Sequence, residues 1–274
     1  MKKLILTIAA LAAFAGIQAQ ETQKHMVVNL STGGQKIIPL DEITDVEFQD
    51  LTPNPARKTF EVNGVKFIMR KVEKGSFYMY TMEEDASKKV TLTQDFWMAE
   101  TVVTQDLYKA VIGDLPGTLS NLEKNDRYPM QFRFANAGIF IDKLNELTGE
   151  NFRLPTEEEW EYAAKGGKFH TPSTYSGSNE IFRVAWYNDN WKQASCDEHY
   201  YPLVATREPN ALGIYDMSGL AWEWTSTSVG GSDEFHFFRG GSRFGDAENC
   251  TVLFRYGSTS VYDMCAIRLV LTAE

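Results

Sequence analysis

The stretch RLPTEEEWEYAAKGG, residues 153–167, is where the sequence changes from helical patterns to loop-rich ones. Thr156 is followed three residues later by Glu159, which is the pattern of a capping box, so a helix is predicted to begin here. The neighbouring glutamates are stabilised at the positive, N-terminal end of the helix dipole, and the glycine pair at 166–167 indicates where the helix ends. We therefore expect a well-defined helix in the middle of the chain.

Two further helices are predicted before this one, and none after it. Thr104 is a candidate N-cap for a helix ending at Gly113, and apolar residues at helical spacing lead up to Gly149. Beyond residue 168 the sequence contains turn residues and short strand patterns only. About three helices followed by a long loop-rich β region predict an α+β fold.

Residues 1–20 have the pattern of a secretory signal peptide. Lys2 and Lys3 precede an apolar run that is too short for a membrane span, and Ala19 is small enough for cleavage nearby. No cysteine lies at that site to take a lipid. The sequence therefore predicts a secreted, periplasmic or cell-envelope protein without a membrane span.

Three segments follow the predicted signal peptide. Residues 21–50 are predicted to form a small β-hairpin module, because a Ser-Thr-Gly-Gly turn cluster separates two apolar runs. Two prolines oppose regular structure in residues 51–59, which we expect to be a linker. Residues 60–274 form the main domain, which opens on a hairpin turning at Asn63-Gly64.

The charge and the cysteine count exclude some classes of protein. The net charge is −10 at pH 7, and removal of the first twenty residues makes it two units more negative, which argues against a nucleic-acid partner. Cys196, Cys250 and Cys265 allow at most one intrachain disulfide, and the sequence leaves their pairing open.

Three motifs in the main domain carry a family resemblance. Residues 153–167, PNALGIYDMSGLAWEWT (209–225) and FRGGS (238–242) resemble, in order and spacing, the formylglycine-generating enzyme or sulfatase-modifying-factor family. The resemblance spans roughly residues 60–271, and it implies an elaborated C-type-lectin-like fold with short strands. The N-terminal hairpin resembles modules ahead of such domains in secreted Bacteroidetes proteins. Because this fold hosts several functions, each site needs its own argument.

The resemblance places the family's two catalytic thiols at positions 245 and 250. Paired thiolates suit copper(I), which the enzymes of the family use. Here Gly245 stands at the first position, and only Cys250 is present at the second. We therefore expect no copper and no catalytic residue; Cys250 would be the catalytic residue only if the chain were an oxidase.

The resemblance also implies a structural calcium site in YDMSGLAWEWT. The family's ligands map onto the side chains of Asp216 and Glu223 and onto the backbone oxygens of Gly219 and Ala221, a set of hard oxygen donors that suits Ca²⁺. In the alternative, Asp216 caps a turn and Glu223 makes an internal salt bridge. The tryptophans of the motifs (Trp160, Trp222 and Trp224) are expected to pack in the core rather than to form a sugar-stacking platform.

The segment 240–271, GGSRFGDAENCTVLFRYGSTSVYDMCAIRLVL, combines a family framework with irregular residues. It resembles the variable segment of proteins diversified by retroelements, in which adenines of template codons are replaced. An AAC codon treated in this way cannot yield Lys, Glu, Gln, Trp or Met. The segment contains no Lys, Gln or Trp and a single Glu, whereas Met264 does not fit.

Phe, Tyr and Arg exposed on a rigid scaffold are typical of binding hot spots. We therefore predict a secreted, non-catalytic protein whose C-terminal face binds a protein or glycan ligand. The alternatives are a formylglycine-generating-type oxidase and an envelope accessory protein. The predicted ligand-binding residues are Arg243, Phe244, Leu253, Phe254, Tyr256, Ser258, Ser260, Val261 and Tyr262.

Overall fold

The computed structural model describes residues 25–29, 35–39, 55–81, 86–116, 126–170, 172–194, 202–231, 235–259 and 265–273. The chain divides into two units, Met1–Leu51 and Thr52–Glu274. In the first unit, β1 (His25–Asn29) and β2 (Gln35–Pro39) pair in antiparallel fashion. This hairpin lies within the predicted module 21–50, whose ends, like the predicted signal peptide, lie outside the described residues.

The second unit contains both helices and strands, as predicted for an α+β fold. In chain order they are β3 (Arg57–Val62), β4 (Val65–Val72), β5 (Gly75–Thr81), β6 (Ala86–Leu92), β7 (Phe96–Ala99), α1 (Gln105–Ile112), α2 (Phe134–Thr148), β8 (Phe152–Arg153), α3 (Glu157–Ala164), α4 (Ile181–Val184), β9 (Trp222–Ser228), β10 (Phe235–Arg239), β11 (Arg255–Thr259), β12 (Cys265–Ile267) and β13 (Val270–Thr272). Short 3-10 helices lie at Gly167–Phe169, Trp191–Ala194 and Ala247–Cys250.

The end of the chain contributes to two separate sheets. One sheet has the order β3-β4-β7-β13-β8, and a second has the order β11-β10-β9-β12; β5 and β6 form a hairpin of their own. In the second sheet β12 runs parallel to β9, whereas β10 is antiparallel to both of its neighbours. The segment 240–271 therefore closes the fold as well as carrying the predicted ligand-binding residues.

The β3–β4 hairpin turns as its sequence predicts, but it begins earlier than expected. Asn63 and Gly64 both have positive φ (48° and 85°) between the paired Val62 and Val65, which is the backbone of a two-residue type I′ turn. Arg57–Thr59, placed in the predicted linker 51–59, pair with β4. That linker prediction extends too far, because the two prolines oppose regular structure only up to residue 55.

The helix predictions differ in their outcome. The capping box of α3 is confirmed: Thr156 Oγ1 accepts the N–H of Glu159 (3.2 Å), and Glu159 Oε2 accepts the N–H of Thr156 (2.9 Å). Thr104 occupies the N-cap position of α1, but its hydroxyl donates to Asp106 instead of accepting a backbone N–H. The prediction of no helix after residue 168 is wrong, since α4 and two short 3-10 helices follow; single turns carry too little periodicity to be recognised.

The core lies between the sheets and the three longer helices. Trp160 and Trp224 are fully buried in it, as expected, but Trp222 is only partly buried. Within the described ranges, no helix has both the length and the apolar character needed to cross a bilayer.

Candidate functional site

The thiol at the family's second catalytic position is enclosed. Cys250 is a free, fully buried cysteine at the end of the 3-10 helix Ala247–Cys250, and burial raises its pKa to about 12. A thiol rather than a thiolate is therefore present at neutral pH, which makes a poor nucleophile and a poor metal ligand. Cys265 lies in β12 within the apolar core that includes Trp224, and burial raises its pKa as well. Neither described cysteine is a thiolate poised for reaction.

The FRGGS motif holds this enclosure together through close backbone contacts. A Cβ on Gly241 would lie 2.8 Å from Cys250 Sγ, so only glycine fits there, and its φ is +76°. Gly219 donates its N–H to the carbonyl of Gly240 (2.7 Å), and Arg243 donates its N–H to the carbonyl of Leu220 (3.0 Å). The motif therefore fixes the start of the C-terminal segment against the loop before β9.

The predicted calcium ligands are close in sequence, but the two carboxylates have different surroundings. Asp216 is buried in the left-handed region (φ 60°), and its Oδ2 accepts the N–H of Ala205 (2.7 Å). Burial is the main cause that raises its pKa to about 6, and the nearby Glu223 raises it further. Among the described residues, no arginine or lysine forms a direct ion pair with Asp216. Its carboxylate oxygens are therefore not neutralised by a neighbouring cationic side chain.

Glu223 makes the internal salt bridge of the alternative interpretation. Its Oε1 accepts from Arg268 (2.6 Å), and its Oε2 accepts from Arg268 Nε (2.9 Å) and from Trp160 Nε1 (2.7 Å). Among the described residues no group of three His, Cys, Asp or Glu side chains could hold a metal ion. An ion here would draw on Asp216 and the carbonyls of Gly219 and Ala221, with Glu223 committed to Arg268; calcium binding stays a prediction.

A buried ionic network joins α3 to the strands that carry the predicted ligand-binding residues. Arg239, fully buried on β10, donates to Glu157 (3.1 Å), to Glu161 and to the carbonyl of Val252 (2.9 Å). Arg255 on β11 donates to the second oxygen of Glu157 (2.7 Å). Burial raises the pKa of the Glu157 carboxyl, although both arginines oppose that shift. The network fixes β10 and β11 relative to the helix.

The structure separates the predicted ligand-binding residues by exposure. Phe244, Leu253 and Tyr256 expose 49%, 43% and 48% of their surface, and Phe254 is half-buried. The expectation of an exposed Arg243 is wrong: it is buried, and burial lowers its pKa to about 9. The carbon of its guanidinium lies 4.2 Å from the ring centre of Phe244, so it packs against that ring.

Three aromatic side chains that rest on the buried Phe238 form one partly exposed surface, which we name the aromatic patch: Trp222, Phe254 and Tyr256. Phe238 lies at the base, with its ring centre 5.1 Å from that of Trp222 and 5.3 Å from that of Tyr256; Trp222 is 5.9 Å from Phe254. Trp222 and Phe238 were not predicted as site residues. The alternation of WEWT places Trp222 on the same face as the buried Trp224, which indicates core packing, so only the fold shows that Trp222 is partly exposed.

The other predicted positions lie apart from the patch or outside the described residues. Phe244 packs edge-on against Trp191, with ring centres 5.4 Å apart. The backbone of Ser258 lies in β11, paired with His236. Ser260, Val261 and Tyr262 lie outside the described residues.

The sheets, the helices and the glycine-rich loop before β9 together define a C-type-lectin-like fold of the formylglycine-generating-enzyme type. The sequence profile of the sulfatase-modifying factor enzyme 1-like domain matches residues 59–272. The chain therefore belongs to this family.

Relatives within the family bear different names. The chaperone protein LppX of Paenibacillus barcinonensis is 29% identical over 219 residues, which cover 62% of this chain and 76% of LppX. The inactive C-alpha-formylglycine-generating enzyme 2 of Bos taurus is 33% identical over 86 residues, 30% of this chain and 29% of that protein.

Two solved structures share the fold. Treponema denticola variable protein 1 superposes with a TM-score of 0.64 at 24% identity, over 80% of this chain and all of that one. PvdO from Pseudomonas aeruginosa superposes with a TM-score of 0.64 at 19% identity, over 80% of this chain and 99% of that one. At these identities the likeness shows the fold alone.

Proposed function

We propose that this protein is an exported, non-catalytic binding protein whose aromatic patch and Phe244 contact a protein or glycan ligand. The observation that carries the proposal is the exposure of aromatic rings on strands held by the buried ionic network. Rigid aromatic side chains bury large areas at low entropic cost, and a preorganised surface binds without ordering itself first. The fold and the ionic network supply such a preorganised surface.

A binding role is favoured over the oxidase by the site itself. An oxidase of the resembled kind needs two accessible thiolates, and here position 245 is glycine while the Cys250 thiol is buried and protonated. The name of the inactive Bos taurus relative agrees with a member of the family that has lost catalysis. The name of LppX favours a protein over a glycan as the ligand.

Diversification by a retroelement is a further part of the proposal. It is supported by the residue types of the segment 240–271 and by the structural likeness to a protein named a variable protein. The test is genomic. A near-identical repeat of the DNA that encodes this segment, differing at template adenines and next to a reverse transcriptase gene, is expected; its absence would refute diversification but not binding.

Binding is tested on the chain itself with arrays of glycans and of purified surface proteins. We expect specific binding that Phe254→Ser with Tyr256→Ser abolishes. Ile139→Ser is the matched control, because it removes an apolar side chain exposed on α2, outside the patch. Binding that survives the double substitution, or that the control also abolishes, would contradict the proposed surface, and no binding to either array would favour the envelope accessory alternative.

The oxidase alternative has its own test. We expect copper(I) titration to show no stoichiometric binding, and we expect a cysteine-containing sulfatase peptide to be left unmodified. Conversion of that peptide, abolished by Cys250→Ser, would overturn the proposed function.

A further inference from the structure

A cleft of about 580 Å³ lies beside α4, and its residues belong to neither the aromatic patch nor the predicted calcium loop. Its volume is in the range of small-ligand sites. It combines aromatic rings, a hydroxyl group, two arginines and one carboxylate: its lining consists of Phe182, Arg183, Ala205, Thr206, Arg207, Glu208, Pro209 and Tyr215.

Arg207 is the unusual member of this lining. Its guanidinium carbon lies 3.6 Å from the ring centre of Trp186, and the indole is itself fixed by a hydrogen bond from Nε1 to Thr206 Oγ1 (2.8 Å). Within the described part of the chain no hydrogen bond or ion pair reaches the guanidinium of Arg207, and its Nε is buried without an acceptor. Half-buried arginines ordinarily pair with a carboxylate, so Arg207 is available to an anion that none of the described residues supplies.

The other charges of the cleft neutralise each other. Arg183 donates two hydrogen bonds to Glu208, at 2.6 Å from Nη2 to Oε2 and 3.2 Å from Nε to Oε1. Glu180, an exposed residue 4.0 Å from Arg183, is not part of the lining. Burial lowers the pKa of Arg207, as expected for a cation without a counter-charge. Counted over the described residues, the cleft therefore has one uncompensated positive charge, which suits a singly charged carboxylate better than a doubly charged phosphate.

We propose that this cleft binds the carboxylate group of a small ligand or of a partner molecule, and that Arg207 is the residue that recognises it. With its guanidinium carbon 3.6 Å from the centre of the Trp186 ring, Arg207 is held against the indole, and arginine can donate two parallel hydrogen bonds to a carboxylate from its planar group. Phe182, which exposes 56% of its surface, and Tyr215 provide apolar area for the rest of the ligand. The site is independent of ligand binding at the aromatic patch.

The experiment uses two simple carboxylates and their neutral counterparts. N-acetylglycine represents a peptide carboxylate and galacturonate an acidic sugar; N-acetylglycinamide and galactose lack the charge. The readout is the indole N–H resonance of Trp186, assigned by its loss in Trp186→Phe, because Arg207 lies directly on that ring. We expect a saturable shift with at least one of the two carboxylates and none with the neutral compounds. The acid that binds distinguishes the source of the carboxylate.

Two substitutions and a control make the test specific. Arg207→Gln is expected to abolish the saturable shift. Arg207→Lys keeps the charge but loses the planar pair of donors, so we expect binding about tenfold weaker. Arg57→Gln, which removes an exposed arginine of β3 outside the cleft, should leave binding unchanged. No saturable shift in the wild type, an equal shift with the neutral compounds, or unchanged binding in Arg207→Gln would each overturn the proposal.

Discussion

At the scale of single residues, Gly241 allows the backbone to pack directly against the sulfur of Cys250. It brings the backbone to a distance from the thiol at which any Cβ would clash, and the backbone N–H groups of Ser242 and Gly219 lie near enough to the sulfur to lower its pKa. Their effect on the pKa is smaller than that of burial, which disfavours the thiolate. The residue that could serve as a catalytic nucleophile is therefore part of the packing between two loops.

Alkylation measures directly whether the Cys250 thiol is enclosed and protonated. With a pKa of about 12, about one in ten thousand Cys250 thiols is ionised at pH 8. We predict that iodoacetamide leaves Cys250 unmodified in the native protein and modifies it in urea, as followed by mass spectrometry of its peptide. Native labelling at the rate of a free cysteine would show that the site is open.

Asp216 gives the fold a dependence on pH. Its pKa is raised to about 6, so the folded chain holds the proton more tightly than the unfolded chain does. The stability from the neutral form is complete below about pH 4 and is lost as the pH rises through 6. We predict that, between pH 4 and 7, the free energy of unfolding falls by about 2 to 3 kcal/mol more in the wild type than in Asp216→Asn.

Urea unfolding at a series of pH values checks this prediction. Asn is a suitable replacement because it tolerates the left-handed backbone and can accept the N–H of Ala205. The same measurement in millimolar calcium tests the predicted ion, which would favour the carboxylate and so raise the stability of the wild type at pH 7. Equal pH dependence in both proteins would contradict the shift, and no effect of calcium would contradict the site.

At the scale of elements, α3 docks on the β-sheet through charges as well as through apolar residues. Its sequence predicts the start of the helix correctly, because a capping box is a local pattern. The same glutamates do not reveal that Glu157 and Glu161 are buried, since their partner Arg239 lies about eighty residues away in sequence. The side chains that hold β10 and β11 against α3 are therefore recognised only in the fold.

The ionic network predicts a large difference between two arginines. Arg239→Met leaves the buried carboxylates of Glu157 and Glu161 with too few partners, so we expect a loss of about 3 kcal/mol or more in the free energy of unfolding. Arg153→Met removes the pair with Glu159, where Arg153 is 37% exposed, and should cost about 1 kcal/mol or less. Denaturant unfolding of both variants measures the two losses in the free energy of unfolding. Equal losses would mean that the network does not stabilise the sheet.

The same contrast between local and distant interactions explains what the sequence could predict of the site. The turn at Asn63-Gly64 and the capping box of α3 depend on neighbours in sequence, and they are found where expected. Arg243 is buried because its backbone bonds to Leu220, and Trp222 joins the surface because Phe238 lies beside it. Both facts depend on which distant segments pack together, and composition and periodicity carry no information about that packing.

At the scale of the whole molecule, a buried framework can be distinguished from the side chains that are exposed on it. The framework consists of the ionic network, the pair of Glu223 with Arg268 and the glycine-mediated contacts around Cys250. Phe244, Leu253 and Tyr256 project from it and lie at the surface. A protein diversified at such positions must tolerate many side chains there without losing its fold, which makes tolerance a measurable property of this architecture.

We predict that Phe244→Ser, Leu253→Ser and Tyr256→Ser combined change the free energy of unfolding by about 1.5 kcal/mol or less, because exposed substitutions usually cost about 0.5 kcal/mol each. Serine is among the residues that an altered AAC codon encodes. The matched control combines Phe237→Ser, Phe238→Ser and Val252→Ser, neighbouring positions that are buried, and should unfold the domain. Thermal unfolding of both proteins measures the difference. If the exposed triple variant also unfolds, these side chains are needed for the fold, and the segment is not free to vary as a binding surface.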